Sequence, residues 1–178
     1  GQAYMSADDV RYDAGSNVIM QYEVALCDVK PVNPETTVVG FVFGGKDGEE
    51  NAKYGTFAGY DYNSKSWVIG NFGWENGCTD IFASAPYEWT LPNTDESAGA
   101  LVPATWHRLT LKIEGKKASL YVDGALAVET EKDCITVPAN SEDPKFNKLA
   151  PILYNCGKAI VDNIKFTTDL TFNIEKNT

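Results

Sequence analysis

Apolar and polar residues alternate along much of this chain. In Leu109-Thr110-Leu111-Lys112-Ile113-Glu114 every second position is apolar, the period of a strand with one buried face. Glu114-Gly115-Lys116-Lys117 turns the chain, and Ala118, Leu120 and Val122 then alternate with Ser119, Tyr121 and Asp123. Asp123-Gly124 is a two-residue hairpin signal, after which Leu126 and Val128 carry a third strand. An antiparallel meander is predicted here. The same rhythm predicts strands over 17–26 and 37–43, a pair over 54–62 and 67–73 around Asn63-Ser64-Lys65, and a last pair over 152–156 and 158–167 around Gly157. No segment sustains a helical period. Pro, Asn, Asp and Gly punctuate the chain at roughly ten-residue intervals, as a sandwich or barrel requires. The expectation is an all-β, two-sheet antiparallel sandwich of the jelly-roll kind, one domain over 1–178, with polar connections at 31–36, 46–52, 91–105 and 138–150. The tail from 169 to 178 adds an edge strand or trails off.

Composition narrows the function classes. A chain of 178 residues with 43% hydrophobic and 12% aromatic content can bury a full core. No run of about eighteen apolar residues is present, so no membrane insertion is expected. The start, GQAYMSADD, has neither a basic stretch nor an apolar signal core and reads as a mature or excised segment. Fifteen Lys and Arg face 25 Asp and Glu, a net charge of -10. That field repels phosphate backbones, so nucleic acid is not an expected partner. The four cysteines, Cys27, Cys78, Cys134 and Cys156, are far apart and form no Cys/His cluster of the zinc kind. They read either as buried thiols or, in pairs, as disulfides, and the even count leans toward an extracellular or cell-surface location.

The one histidine, His107, follows Trp106 at the entrance of the first meander strand. Adjacent strand residues point to opposite faces. If Trp106 turns inward, as its size favours, His107 faces outward or lies at an edge. No Ser or Cys nucleophile stands near it at a known motif spacing, so His107 is predicted to be structural and dispensable for binding.

The motif TWHRLTLKIEGKKASLYVDG resembles concanavalin A-like domains of the laminin-G and pentraxin-like kind, and KAIVDNIKF resembles the closing strand of bacterial carbohydrate-binding sandwiches and of sugar-hydrolase companion domains. The resemblance implies two sheets, one concave, with ligands on the concave face or the loop edge. It leaves lectins, binding modules, adhesion domains and glycan-cleaving enzymes all in play. In such a jelly roll the first long strand lies beside the last, which would make Cys27 and Cys156 neighbours in adjacent strands.

Enzymes of this fold that cleave glucans place two or three carboxylates alternately on one strand. Here Glu23, Asp61, Glu114, Asp123 and Asp162 stand apart, and the Gln-x-His strand of alginate-lyase-like sandwiches is missing. A non-catalytic carbohydrate-binding module of a larger secreted or surface protein is the favoured reading. A protein-binding adhesion module, or a glycan-active enzyme whose acids meet only in space, are the alternatives. The expected partners are a poly- or oligosaccharide and other modules of the same polypeptide.

Pyranose rings present apolar faces, so sugar sites combine aromatic plates with amide and carboxylate groups. Those residue types concentrate between 60 and 89: Trp74 and Trp89 as the leading plates, then Tyr60, Tyr62 and Tyr87, with Asn71 for hydroxyl contacts. Ala58, Tyr60 and Tyr62 share one strand face, while Trp67 and Ile69 read as core. Many sandwiches of this resemblance hold a structural calcium. Asp162 is its candidate ligand because alternation puts it among Ile160, Ile164 and Phe166, where an inward carboxylate needs a cation or several donors. Asp8-Asp9 would supply partners.

Overall fold

In the longest strand, Val18, Met20, Tyr22, Val24 and Leu26 enter the main core, and the residues between them face the other way. That alternation organises both sheets. A computed structural model of the protein describes residues 3–4, 16–28, 36–45, 55–73, 77–90, 105–131, 133, 148–156 and 158–176. Among these lie β1 (Ala3–Tyr4), β2 (Val18–Asp28), β3 (Val38–Gly45), β4 (Gly55–Asp61), β5 (Ser66–Gly73) and β6 (Gly77–Pro86). They are followed by β7 (His107–Glu114), β8 (Lys117–Val122), β9 (Ala125–Glu129), β10 (Lys148–Tyr154) and β11 (Lys158–Thr167). A six-stranded sheet runs in the order β1-β10-β3-β4-β5-β6 and a five-stranded one in the order β11-β2-β7-β8-β9. Every pairing is antiparallel. The fold is the all-β sandwich that the alternation predicts.

The core between the sheets takes Val39, Phe41 and Phe43 from β3, Ala58 and Tyr60 from β4, and Trp67 and Ile69 from β5. Across from them stand the inward residues of β2 and Leu109, Leu111, Ile113, Ala118 and Leu120. Each large apolar side chain removed from water contributes about 1.5–3 kcal/mol. A second cluster lines the outward face of the six-stranded sheet: Val38, Val42, Phe57, Val68, Ile152 and Tyr154. The two sheets are also tied by a polar contact, since the buried Tyr22 hydroxyl donates to the Gly40 carbonyl at 2.7 Å.

The meander of β7, β8 and β9 and the β4–β5 hairpin form as the sequence predicts. Asp123 and Gly124 turn the chain at φ +52° and +85°, the paired positive values that this hairpin turn demands. The predicted pair around Gly157 is corrected. β10 bonds to β3 and β1, whereas β11 bonds to β2, so the chain changes sheets between Tyr154 and Lys158. Asn155, at φ +54°, sits at that step, and its amide donates to the Thr36 hydroxyl.

The first and last long strands are indeed neighbours, β2 beside β11. The thiols they were expected to bring together do not face each other. Cys27 lies on the row of Ile19 and Gln21, which points away from the main core, while Cys156 belongs to that core. Both are free, as is Cys78, and Cys134 lies outside the described residues.

Asp162 is also corrected. Ala159 and Val161 are the residues that pack on the core, so Ile160 and Asp162 face outward, with Ile160 44% exposed. A register shift between Asp162 and Lys165, with Asn163 at φ +52°, then breaks the alternation. Exposed Asp162 accepts from the Asn163 backbone N–H at 2.8 Å, and water can solvate the rest. The physical reason for a calcium there is gone, and no group of three potential metal ligands occurs among the described residues. Asp8 and Asp9 lie outside them. Among its described residues, 169–176, the tail adds no strand: Asp169 accepts from the Thr171 backbone N–H and hydroxyl, and Arg108 Nη2 donates to the carbonyls of Ile174 and Glu175. Among the described residues no helix is long and apolar enough to cross a membrane.

Candidate functional site

One end of the sandwich concentrates aromatic side chains. Tyr60 comes from the end of β4, Trp67 from the start of β5 and His107 from the start of β7. Tyr62 follows β4, and Tyr87 and Trp89 follow β6. The β4–β5 turn fixes the first of these. Buried Asp61 accepts from the backbone N–H of Asn63 and Ser64 and, at 2.6 Å, from the Ser64 hydroxyl, which commits its carboxylate to the turn. Tyr60 then latches the chain after β6. Its hydroxyl donates to the Tyr87 carbonyl at 2.7 Å and accepts from the Trp89 backbone N–H at 3.2 Å.

The rings meet mostly edge to face. Tyr60 lies 4.7 Å from Tyr62, 5.1 Å from Trp67 and 5.5 Å from Trp89, at interplanar angles of 86°, 66° and 73°. Tyr62 and Trp89 are near parallel, at 6.4 Å and 22°. The His107 ring stands perpendicular to three aromatics, 4.8 Å from Trp89, 5.4 Å from Tyr87 and 5.7 Å from Trp67. Edge-to-face contacts put positive ring edges on negative ring faces, adding about 0.5–1.5 kcal/mol a pair beyond burial.

The expected facing of Trp106 and His107 is reversed. His107 is 5% exposed and Trp106 is 42% exposed. The imidazole earns its place through two partners distant in sequence. Nδ1 lies 2.7 Å from Asp123 Oδ2 and Nε2 lies 2.9 Å from the Tyr87 hydroxyl. Asp123 Oδ1 also accepts from the Arg108 backbone N–H at 2.8 Å. Asp123 reaches this position because the β8–β9 turn doubles back beside the start of β7, where its own N–H donates to the Arg108 carbonyl.

Two buried polar atoms in this cluster have no hydrogen-bond partner among the described residues: the Tyr62 hydroxyl and the Trp89 indole Nε1. Each such donor costs about 1–3 kcal/mol unless something supplies an acceptor. Burial pushes the Tyr62 phenol well above its ordinary value, with the nearby Cys156, Tyr60 and Tyr87 adding to the shift. Burial first and the Asp123 charge second raise Tyr87 as well. Both phenols therefore keep their protons across the neutral range.

Four of the predicted site residues, Tyr60, Tyr62, Tyr87 and Trp89, are thus brought together. Their expected exposure is corrected, since Tyr60 is 1% and Trp89 3% exposed, and neither is a solvent-facing plate. Tyr62 and Tyr87 are half-buried. Asn71 is not part of the cluster. It sits four residues beyond Trp67 on β5, about 13 Å along the strand, and its amide donates to Asp80 Oδ2 at 3.2 Å. Trp74 lies outside the described residues. The sequence does not announce that Asp123 joins this cluster or that Trp106 is exposed beside it. The Asp-Gly hairpin signal was the one clue, since it fixes where the Asp123 side chain starts.

No family model matches the chain, and no curated protein does. Solved structures do. The carbohydrate binding module CBM66 from Bacillus subtilis aligns with 93% of this chain and 91% of its own, at 14% identity and a TM-score of 0.55. An Aspergillus kawachii beta-fructofuranosidase aligns with 100% of this chain at 10% identity and a TM-score of 0.57. A mutant of Trypanosoma rangeli sialidase aligns with 93% of it at 13% identity and a TM-score of 0.53. The alignments take up 27% of the fructofuranosidase and 23% of the sialidase, so this chain spans about a quarter of those proteins. At such identities the likeness establishes a common β-sandwich fold.

Proposed function

We propose that this domain is a carbohydrate-binding module of a secreted or surface protein, and that its sugar site is the aromatic end of the sandwich. The observation that carries this reading is the concentration of aromatic side chains at that end, where Tyr62 and Tyr87 are half-buried and Trp106 is exposed. Sugar sites pair apolar ring contacts with a few placed polar groups in this way. Trp106 supports the same end, because its exposed indole adjoins His107 and offers a stacking plate. The fold likeness to a carbohydrate binding module of matching length is in keeping with it. A glycan array with the purified domain tests the reading. Binding that disappears in Trp106→Ala and Tyr87→Phe, with the fold kept, is the expected result, and a blank array sinks it.

A protein-binding module is the second reading. Among the described residues β6 is an edge strand of the six-stranded sheet, and Ile81 and Phe82 on it are 45% and 43% exposed. Exposed apolar residues on an unpaired edge invite strand addition by another chain. If the array is blank and Phe82→Lys abolishes capture of a neighbouring module, this reading takes precedence.

A further inference from the structure

The segment after β11 folds back over the five-stranded sheet. Leu170, Phe172 and Ile174 are half-buried and alternate with exposed Thr171, Asn173 and Glu175, so one apolar face is turned to the protein although no strand forms. Phe172 borders a cavity of about 410 Å³ with Ile19 and Gln21 of β2 and Ile164 and Phe166 of β11. Ile19 and Gln21 lie on the row of β2 that points away from the main core, so the segment crosses the outer face of the sheet. Further on, Arg108 Nη2 donates to the Ile174 carbonyl at 3.0 Å and to the Glu175 carbonyl at 3.2 Å. About 13 Å of strand separates Ile19 from Glu23, the residue paired with Arg108, so the apolar anchor and the polar one hold different parts of the sheet.

Arg108 is also bound to the β8–β9 turn. Its backbone N–H donates to Asp123 Oδ1 and its carbonyl accepts from the Asp123 N–H, both at 2.8 Å. The other carboxylate oxygen, Asp123 Oδ2, lies 2.7 Å from His107 Nδ1. Turn and segment approach each other directly as well: a Cβ on Gly124 would fall 2.8 Å from Arg108 Nη2 and 3.0 Å from the Glu175 carbonyl oxygen. One arginine thus joins the crossing segment, the hairpin turn and the histidine of the aromatic end. The segment itself is lightly held, since every second residue from 171 to 175 is exposed and Phe172 stands at a cavity. Segments with few buried apolar contacts and solvent-exposed hydrogen bonds open at a fraction of the global unfolding free energy.

We propose that residues 169–176 form a releasable strap, and that Arg108 transmits its release to the Asp123 turn and so to His107. Docked, the strap holds the turn against the start of β7; released, it loosens the support of the aromatic end. The coupling stands independently of the sugar reading.

NMR on the whole domain tests it without a ligand. Phe172→Ala removes the distant apolar anchor and leaves Arg108, Asp123 and His107 in place. Backbone 15N order parameters over 170–176 should fall from the rigid value of about 0.85 to below about 0.6. The Arg108 and Asp123 backbone N–H groups should exchange with solvent at least roughly threefold faster. The His107 ring resonances, unambiguous because it is the only histidine, should shift. Arg108→Met, which keeps the aliphatic stem and loses the donors, should free the strap to the same degree. Gly115→Ala, in the turn at the far end of β7, controls for general loss of stability and should leave the strap and His107 as in the parent. A strap that stays rigid in Phe172→Ala overturns the proposal. A strap that loosens while Arg108, Asp123 and His107 are unmoved overturns the coupling, as does the same response in Gly115→Ala. If Arg108→Met does not fold, Phe172→Ala decides alone. A blank glycan array would sink the sugar reading and leave these signals unchanged.

Discussion

His107 is held on three sides, by the Asp123 carboxylate, the Tyr87 hydroxyl and the faces of Trp67 and Trp89. Replacing it by Ala leaves the Tyr87 hydroxyl without its imidazole partner and opens a space among the rings. We expect His107→Ala to cost roughly 2–3 kcal/mol, read as a lower urea midpoint, with part of the Asp123 loss recovered by water. A midpoint within experimental error of the parent would mean that the imidazole contacts carry no net stability. Trp106 behaves oppositely. At 42% exposure it leaves little cavity behind, so Trp106→Ala should change stability by less than about 1 kcal/mol while weakening any glycan bound at this end. Loss of the fold in that variant would refute the exposed placement. The two residues are adjacent, and the choice between them turned on which one the core had room for. Size favours the indole. The partners that favour the imidazole come from positions 87 and 123, and no local spacing announces them.

At the scale of elements, the strands that alternate cleanly were legible and the ones that do not were missed. β7 to β9 keep the period of two and end in turns with strong residue preferences, so facing and register follow directly. β6 does not keep it. Asp80 takes φ +47° and the pairing with β5 slips between Ile69 and Asn71, which leaves Ile81 and Phe82, two consecutive apolar residues, both exposed. Gly157 standing between two apolar runs predicts a hairpin where the chain instead steps from β10 to β11. Nothing local distinguishes a hairpin from a change of sheet; the partner strands decide it. Glycines mark a further constraint of this kind. Gly40 on β3 and Gly59 on β4 are directly opposite, and a Cβ on Gly59 would fall 2.6 Å from Gly40 Cα and overlap the Val39 carbonyl oxygen. Backbone cannot swing aside as a side chain does. Gly59→Ala should therefore destabilise by at least about 1–3 kcal/mol. Gly115, at φ +61° with open space around it, provides the contrast, since Gly115→Ala meets only the conformational penalty of roughly 1 kcal/mol. Equal urea midpoints for the two variants would show that the close approach of β3 and β4 is not rigid.

At the scale of the whole molecule, acids of the thiol and phenol kind are buried across both sheets, and this gives the fold a pH dependence on the alkaline side. Burial pushes the Cys78 thiol, and separately the Cys156 thiol, from the ordinary 9.0 up to about 12. Burial likewise raises Tyr22, which lies wholly inside the core, above its usual 10.0. A group that holds its proton more tightly when folded is neutral in both states below about pH 9, so its contribution is complete there. Above that pH the unfolded chain releases protons that the folded one keeps, and stability falls until the folded groups titrate too. The urea midpoint should accordingly hold steady from pH 7 to about 8.5 and decline through pH 9 to 11. At pH 8 the Cys78 and Cys156 thiols should react slowly with a disulfide reagent, because the thiolate is the nucleophile. Cys156→Ala should flatten part of the alkaline decline, since Cys156 sits in the inter-sheet core with its Sγ directed at the Val38 and Tyr154 carbonyls. A midpoint that stays level to pH 11 would place these thiols in contact with water and contradict the packing of the core around them.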